Sequence, residues 1–307
     1  MNDGPGTPRA AAPALPGCGA AVPVEPVPLR LPPGAAVREA FGLRLHGFGA
    51  GPPCVLVPGL AAGVDSLAPL LRGLAPRLRC HAVTLPGFDG VPPGPSPQLP
   101  AYERALGELV GELSRAQPVV LVGHSLGGVL ALAVALQRPQ AVRAVVALDA
   151  LPAVAELAGC DGRAAAVGAA LQAEHAAHAG EALRLAHARR LRASVASPAV
   201  ADALLPAAMR SDVATTAAVM AQVLCRDLRP AMPQLAVPLL AIVALAAFRG
   251  PARERARTIA ASQFAPVPAL RLLALDHARH FVMLDAPAAV LAAITALLDD
   301  PPRPRAR

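Results

Sequence analysis

The chain contains no lysine and no tryptophan, only one tyrosine and six phenylalanines. Rings that could stack on bases or sugars are scarce: aromatics make up 2 % of the 307 residues, against 54 % hydrophobic residues in all. A core must be built from Leu, Val and Ala, and the length suffices for one large domain or two small ones. The missing lysine also bears on the net charge of +7, because every basic residue is then an arginine. These arginines are spread along the chain, apart from small groups within 184–192, 249–257 and 303–307. No nucleic-acid motif accompanies them, so the charge reads as solvated surface and no nucleic-acid partner is expected.

Cysteines are few and show no pairing pattern. Cys18, Cys54, Cys80, Cys160 and Cys225 form an odd, widely spaced set without a Cys-x-x-Cys pair. That argues against a disulfide framework and a structural zinc site, and for reduced, mostly buried thiols. Long apolar runs are missing too: the stretch 235–248 contains Pro238 and is too short to span a bilayer. Leu15-Pro16-Gly17-Cys18 faintly resembles a lipoprotein cleavage box, but prolines interrupt the residues before it. A soluble protein is expected, in the cytoplasm by preference, with export left open.

What is present is a rhythm of strands and helices. Residues 1–36 are rich in Pro, Gly and Ala and read as a flexible leader. Residues 37–45 alternate as a strand does, and 47–51 mark a turn. The short continuous apolar run at 54–57 suits a strand buried on both faces, as in a parallel sheet, and further strands are expected at 80–85, 119–122, 142–148, 237–245 and 270–275. Between them, helices are expected at 66–78, 101–116, 125–137, 252–262 and 287–298, so the class is α/β with a mostly parallel sheet. From 152 to 230 the rhythm stops: Ala, Leu, Arg and His follow helical spacing with no strand candidate. The division is thus a leader (1–36), a core (37–151 and 231–300), a helical lid (152–230) and a tail (301–307), with no internal repeat.

Gly123-His124-Ser125-Leu126-Gly127 carries the chemistry. An apolar strand enters it and an apolar helix leaves it. A serine on so tight a strand-to-helix turn is strained, and its hydroxyl stands free above the sheet edge. Glycines flank it because side chains there would meet neighbouring backbone. The helix N-terminus points free N–H groups at a reacting carbonyl oxygen. A glycine-rich turn with an incidental serine would not demand that context. Serine needs a base, and position decides among eight histidines. His124 lies inside the turn, pointing away from the nucleophile. His175, His178 and His187 lie in the helical insertion, and His46 and His81 lie early. His277 and His280 remain, in the loop after the last strand, on the same sheet edge as the serine.

Gly123-His124-Ser125-Leu126-Gly127-Gly128, Leu85-Pro86-Gly87-Phe88 and the segment from Arg279-His280-Phe281 to Pro287 together resemble the α/β-hydrolase superfamily over roughly 37–298. The resemblance implies that His280, rather than His277, is the base. It also implies an oxyanion hole made by the amides of Leu126 and of the loop after strand 54–57. That loop reads Pro58-Gly59-Leu60 where relatives usually have His-Gly-x, and Leu60 can still offer its N–H. Many relatives carry the acid after the strand equivalent to 237–245, yet Ala246-Ala247-Phe248-Arg249-Gly250 holds no carboxylate. Asp149, closing the strand beside the serine turn, is the candidate instead, against a bland role as a strand-end cap. It keeps the order nucleophile, acid, base. Asp276 and Asp285 are weaker, since neighbours in a loop rarely orient one another.

The implied reaction is hydrolysis of a carboxylic ester with a modest apolar acyl chain, without metal or organic cofactor. An acyltransferase, thioesterase, perhydrolase or C–C hydrolase would use the same residues. A silent scaffold that only binds a ligand or partner is the alternative from another class. Oligomeric state is left open.

Overall fold

The computed structural model describes residues 29–302, apart from 95–98 and 178. The expected leader up to residue 28 and most of the expected tail lie outside the described residues. In chain order the elements are β1 (Ala36–Ala40), β2 (Leu43–Phe48), β3 (Pro53–Val57), α1 (Ala68–Leu74), β4 (Arg79–Thr84), α2 (Leu99–Leu113), β5 (Val119–His124), α3 (Leu126–Gln137) and β6 (Val142–Leu148). Five helices follow before the next strand: α4 (Val154–Leu157), α5 (Ala164–Ala176), α6 (Gly180–Ser194), α7 (Pro198–Met209) and α8 (Val213–Cys225). The chain then adds β7 (Leu239–Ala244), α9 (Pro251–Phe264), β8 (Leu270–Leu275), α10 (Val282–Asp285) and α11 (Pro287–Asp299).

The strands form one sheet in the order β1-β2-β4-β3-β5-β6-β7-β8. The pairs β1–β2 and β2–β4 are antiparallel, and every later pair is parallel. β3, β5 and β7 are buried along their whole length, which is why they read as unbroken apolar runs. Alternate residues feed two apolar layers. Val55, Leu121 and Val145 face Leu109 of α2, Leu130 of α3 and Phe264 of α9. Leu56, Val122 and Val146 face Leu70 of α1 and Ile294 of α11.

Two expectations change. The single strand at 37–45 is a hairpin, β1 and β2, broken at Phe41 (φ 56°) and Gly42 (φ 75°). Positive φ at both central residues is the type I′ hairpin turn; glycine signals it and phenylalanine does not. The helix at 66–78 is a 3-10 turn, Val64–Leu67, followed by the short α1, because Pro76 stops the chain from continuing as helix. Of the thiols, Cys54, Cys80 and Cys160 are buried and Cys225 is exposed, all unpaired. No helix among the described residues is long and apolar enough to cross a membrane.

Glycine spacing controls how closely β5, α3 and β3 meet. A Cβ on Gly123 would collide with the Gly127 carbonyl, and one on Gly127 with the Val57 carbonyl. Both obstacles are backbone and cannot give. Gly127→Ala should therefore cost about 3 kcal/mol or more in denaturant unfolding. Gly159→Ala, at φ 68° with open space around its Cβ position, should cost only about 1–2 kcal/mol of backbone strain. Equal losses would show that close packing at the turn is not what Gly127 protects.

Candidate active site

Ser125 sits between β5 and α3 with φ 52° and ψ −117°, a conformation that L-residues adopt only under constraint. Its amide donates to the Leu148 carbonyl (2.9 Å), and its own carbonyl accepts from Gly128 and Val129 (2.9 and 3.1 Å). The serine is thus tied to the end of β6 and to the first turn of α3. Gly59 approaches so closely that a Cβ there would lie 3.3 Å from the Ser125 Cβ.

Asp149, one residue past β6, also has positive φ (45°). Its Oδ1 accepts from the Ala244 amide at the end of β7 (2.8 Å), and its Oδ2 lies 2.6 Å from His280 Nδ1. The carboxylate therefore reaches past the tip of β7 to a histidine in the loop after β8. Ser125, Asp149 and His280 line one cavity of about 230 Å³. Its other walls are Leu60, Leu126, Val129, Ala150 and Leu151 from the core, and Val154, Leu157, Met220 and Val223 from α4 and α8. No arginine among the described residues lines this cavity. Among the described residues, the amides of Leu60 and Leu126 have no protein acceptor, and both residues border the cavity beside Ser125.

The remaining candidates fall elsewhere. His277 is exposed and Asp276 pairs with Arg257 (2.7 Å). His46 is on β2 and His81 on β4; burial lowers the pKa of both, His46 by burial and then Arg44, His81 by burial and then Arg38. His187 is buried in α6, and the side chains of His175 and His178 lie outside the described residues.

Two residues near the cavity gave no sequence signal for what they do. Asp285 accepts from the Arg279 amide (2.8 Å) and from the Ala196 amide in the insertion (2.9 Å). Burial raises its pKa. His124 is fully buried and lies 2.9 Å, at Nε2, from the His280 carbonyl oxygen. Burial first, then the nearby His280, holds its pKa well below the usual imidazole range.

The family model for the alpha/beta hydrolase fold matches residues 52–181. Over 270 residues the chain is 30 % identical to 2-(acetamidomethylene)succinate hydrolase of Mesorhizobium japonicum, covering 84 % of this chain and 91 % of that one. The chain belongs to the alpha/beta hydrolase family. It is also 37 % identical over 111 residues to pimeloyl-(acyl-carrier protein) methyl ester esterase of Xanthomonas campestris pv. campestris. That match takes in 36 % of this chain and 41 % of the esterase, so less than half of the relative's length is spanned. Among solved structures, a bromoperoxidase from Bacillus anthracis superposes with a TM-score of 0.73 at 15 % identity, covering 87 % of this chain and all of that one. At that identity the likeness is one of fold.

The depressed histidines set a direction for acid stability. An unfolded histidine takes a proton near pH of about 6.5, whereas His124, His46 and His81 resist it in the fold. The unfolded chain then binds more protons, and stability falls as pH drops below that value. Asp285 and Asp65, raised by burial, act in the opposite sense, gaining stability as pH falls toward the ordinary carboxylate value of about 4. Denaturant midpoints should therefore fall from pH 7.5 to pH 5, and His124→Phe should shrink the fall. A midpoint unchanged across that range contradicts the neutral, buried state of His124.

Proposed function

We propose that the chain is a serine hydrolase that cleaves a carboxylic ester, or a related acyl compound, through Ser125, His280 and Asp149. The observation that carries this reading is the 2.6 Å contact between His280 Nδ1 and Asp149 Oδ2 in a cavity shared with Ser125. An aspartate so placed fixes the imidazole tautomer, leaving Nε2 as the base and steadying the cation that forms.

The hydroxyl oxygen of Ser125 attacks the acyl carbon while His280 Nε2 takes its proton. The negative charge on the carbonyl oxygen is met by the amides of Leu60 and Leu126 and by the dipole of α3. As the tetrahedral intermediate collapses, the bond to the alcohol oxygen breaks and the alcohol leaves with the proton from His280. An ester to Ser125 remains. Water, deprotonated by His280, then attacks that ester, and the serine leaves with the proton as the acid is released. No metal or organic cofactor enters these steps.

Substrate class follows from the walls. Apart from the three reacting residues, the described residues lining the cavity are aliphatic ones and Met220, with no arginine among them to pair with a carboxylate. Its volume of about 230 Å³ falls below the range of about 300–1,000 Å³ that suits drug-sized ligands. A short, neutral acyl group fits that chemistry. One relative is named for a methyl ester and another for a succinate derivative; the aliphatic walls favour the ester side. The helical insertion acts here as a lid, since Val154, Leu157, Met220 and Val223 close the cavity over the core.

The test is turnover of nitrophenyl esters of increasing acyl length, with labelling by a fluorophosphonate. Short acyl chains should be preferred. Ser125→Ala and His280→Ala should lower kcat by about 10⁴-fold or more, and Ser125→Ala should abolish labelling. Asp149→Asn should cost about 10³–10⁴-fold by admitting the wrong tautomer. Full activity in Asp149→Asn would remove it from the mechanism, and a folded wild type that neither labels nor turns over ester would overturn the enzymatic reading.

A further inference from the structure

We propose that His124 is a positioning residue for the base: its Nε2–H donates to the main-chain carbonyl of His280 and so fixes the loop that carries the imidazole. The inference rests on the assignment of Ser125 and His280 just made. It assigns a task to the side chain beside the nucleophile that the reaction steps leave idle.

Four observations converge on this ring. Its Nε2 lies 2.9 Å from the His280 carbonyl oxygen, a partner 156 residues away in sequence. A carbonyl can only accept, so Nε2 carries the hydrogen and Nδ1 is bare. The ring packs against those of both His280 and Phe281, with centroids 4.7 and 4.6 Å away. On its other side a Cβ on Gly59 would stand 2.9 Å from Nδ1, so the oxyanion loop closes directly over it. One ring therefore touches the serine turn from which it springs, the loop carrying Leu60 and the loop carrying His280.

The fourth observation is a cost. His124 Nδ1 is buried without any hydrogen-bond partner. A phenylalanine would fill the same space without burying an idle polar atom. Packing alone thus favours phenylalanine, and the one thing histidine adds is the Nε2–H donor. Neutrality matters as well. A cation here would stand against the imidazolium that His280 becomes during attack, and burial excludes that charge. The charged groups around the base are otherwise few. Asp149 lies at Nδ1, and the Arg279 guanidinium is turned to the Arg192 and Val195 carbonyls, 2.8 Å from each.

Two substitutions separate donor from filler. His124→Phe keeps the ring and loses the donor. His124→Gln loses the ring, but its amide nitrogen can reach the place of Nε2. If the donor positions the base, His124→Phe should lose about 10–100-fold in kcat with KM little changed, and His124→Gln should recover most of it. Activity retained in folded His124→Phe, or equal losses in both variants, overturns the proposal. Histidine-selective ¹⁵N NMR of the wild type supplies a second readout that needs no turnover. It should show one ring protonated at Nε2 only and unchanged from pH 5 to 8. A ring at this position that titrates, or that carries its hydrogen at Nδ1, overturns the proposal even if both variants are inactive. Failure of the wild type to label with fluorophosphonate would instead strike the catalytic reading and leave the ring's tautomer to be judged by NMR alone.

Discussion

The backbone of Ser125 is held where serine has no wish to be, and the middle of the molecule is arranged to keep it there. Its φ and ψ of 52° and −117° carry a strain of about 1–3 kcal/mol that only the surroundings can enforce. Enforcement is visible atom by atom. The serine amide is bound to Leu148, Gly127 lies under the Val57 carbonyl, and Gly59 abuts both His124 and Ser125. The ends of three adjacent parallel strands, β3, β5 and β6, thus meet at one residue. The parallel sheet is what makes such a meeting possible, because its strands finish side by side on the same edge.

Asp149 exploits the same edge from one strand further along. In the sheet, β7 separates β6 from β8, so a carboxylate on β6 must pass the end of β7 to reach the loop after β8. The Ala244 amide fills that gap by binding Oδ1, which leaves Oδ2 turned toward His280. The lack of a carboxylate in residues 246–250 and the presence of Asp149 are one geometric fact. In the proposed reaction the acid stands one strand further in, and the Ala244 amide at the tip of β7 holds its carboxylate.

Much of this could be read from residue order. Buried parallel strands announce themselves as apolar runs, and the run at 142–148 coincides with β6 as found, whereas 270–275 is the half-buried edge strand β8. The glycines at 123 and 127 foretold close backbone approach, and Gly-His-Ser-Leu-Gly placed the serine. The failures have a common cause, which is partners distant in sequence or backbone states without a residue signature. Phe41 turns the chain at positive φ where only glycine would have signalled it. His124 looks inert until the loop 156 residues later is folded against it. Asp285, set aside as a loop neighbour of His280, spends its carboxylate on amides of its own loop and of the insertion. No periodicity records such contacts.

Asp285 also shows how far the insertion is built into the site. The loop bearing His280 is bound to the α6–α7 junction at several points. Phe281 donates to the Ser194 carbonyl, Arg279 to those of Arg192 and Val195, and Ala196 to Asp285. A second seam joins the α7–α8 junction to the loop after β4. There Asp212 donates to the Gly87 carbonyl, Gly90 to that of Arg210, and Arg210 pairs with Asp89. α7 is consequently fastened at both ends to core loops, one of them carrying the imidazole. α8 follows α7 directly and α4 opens the insertion; together these two give the cavity its apolar walls. The loop that carries His280 is therefore held from two sides, by the His124 ring and by the insertion. The α6–α7 junction thus touches the imidazole's surroundings through the backbone of the His280 loop itself, at Phe281, Arg279 and Asp285.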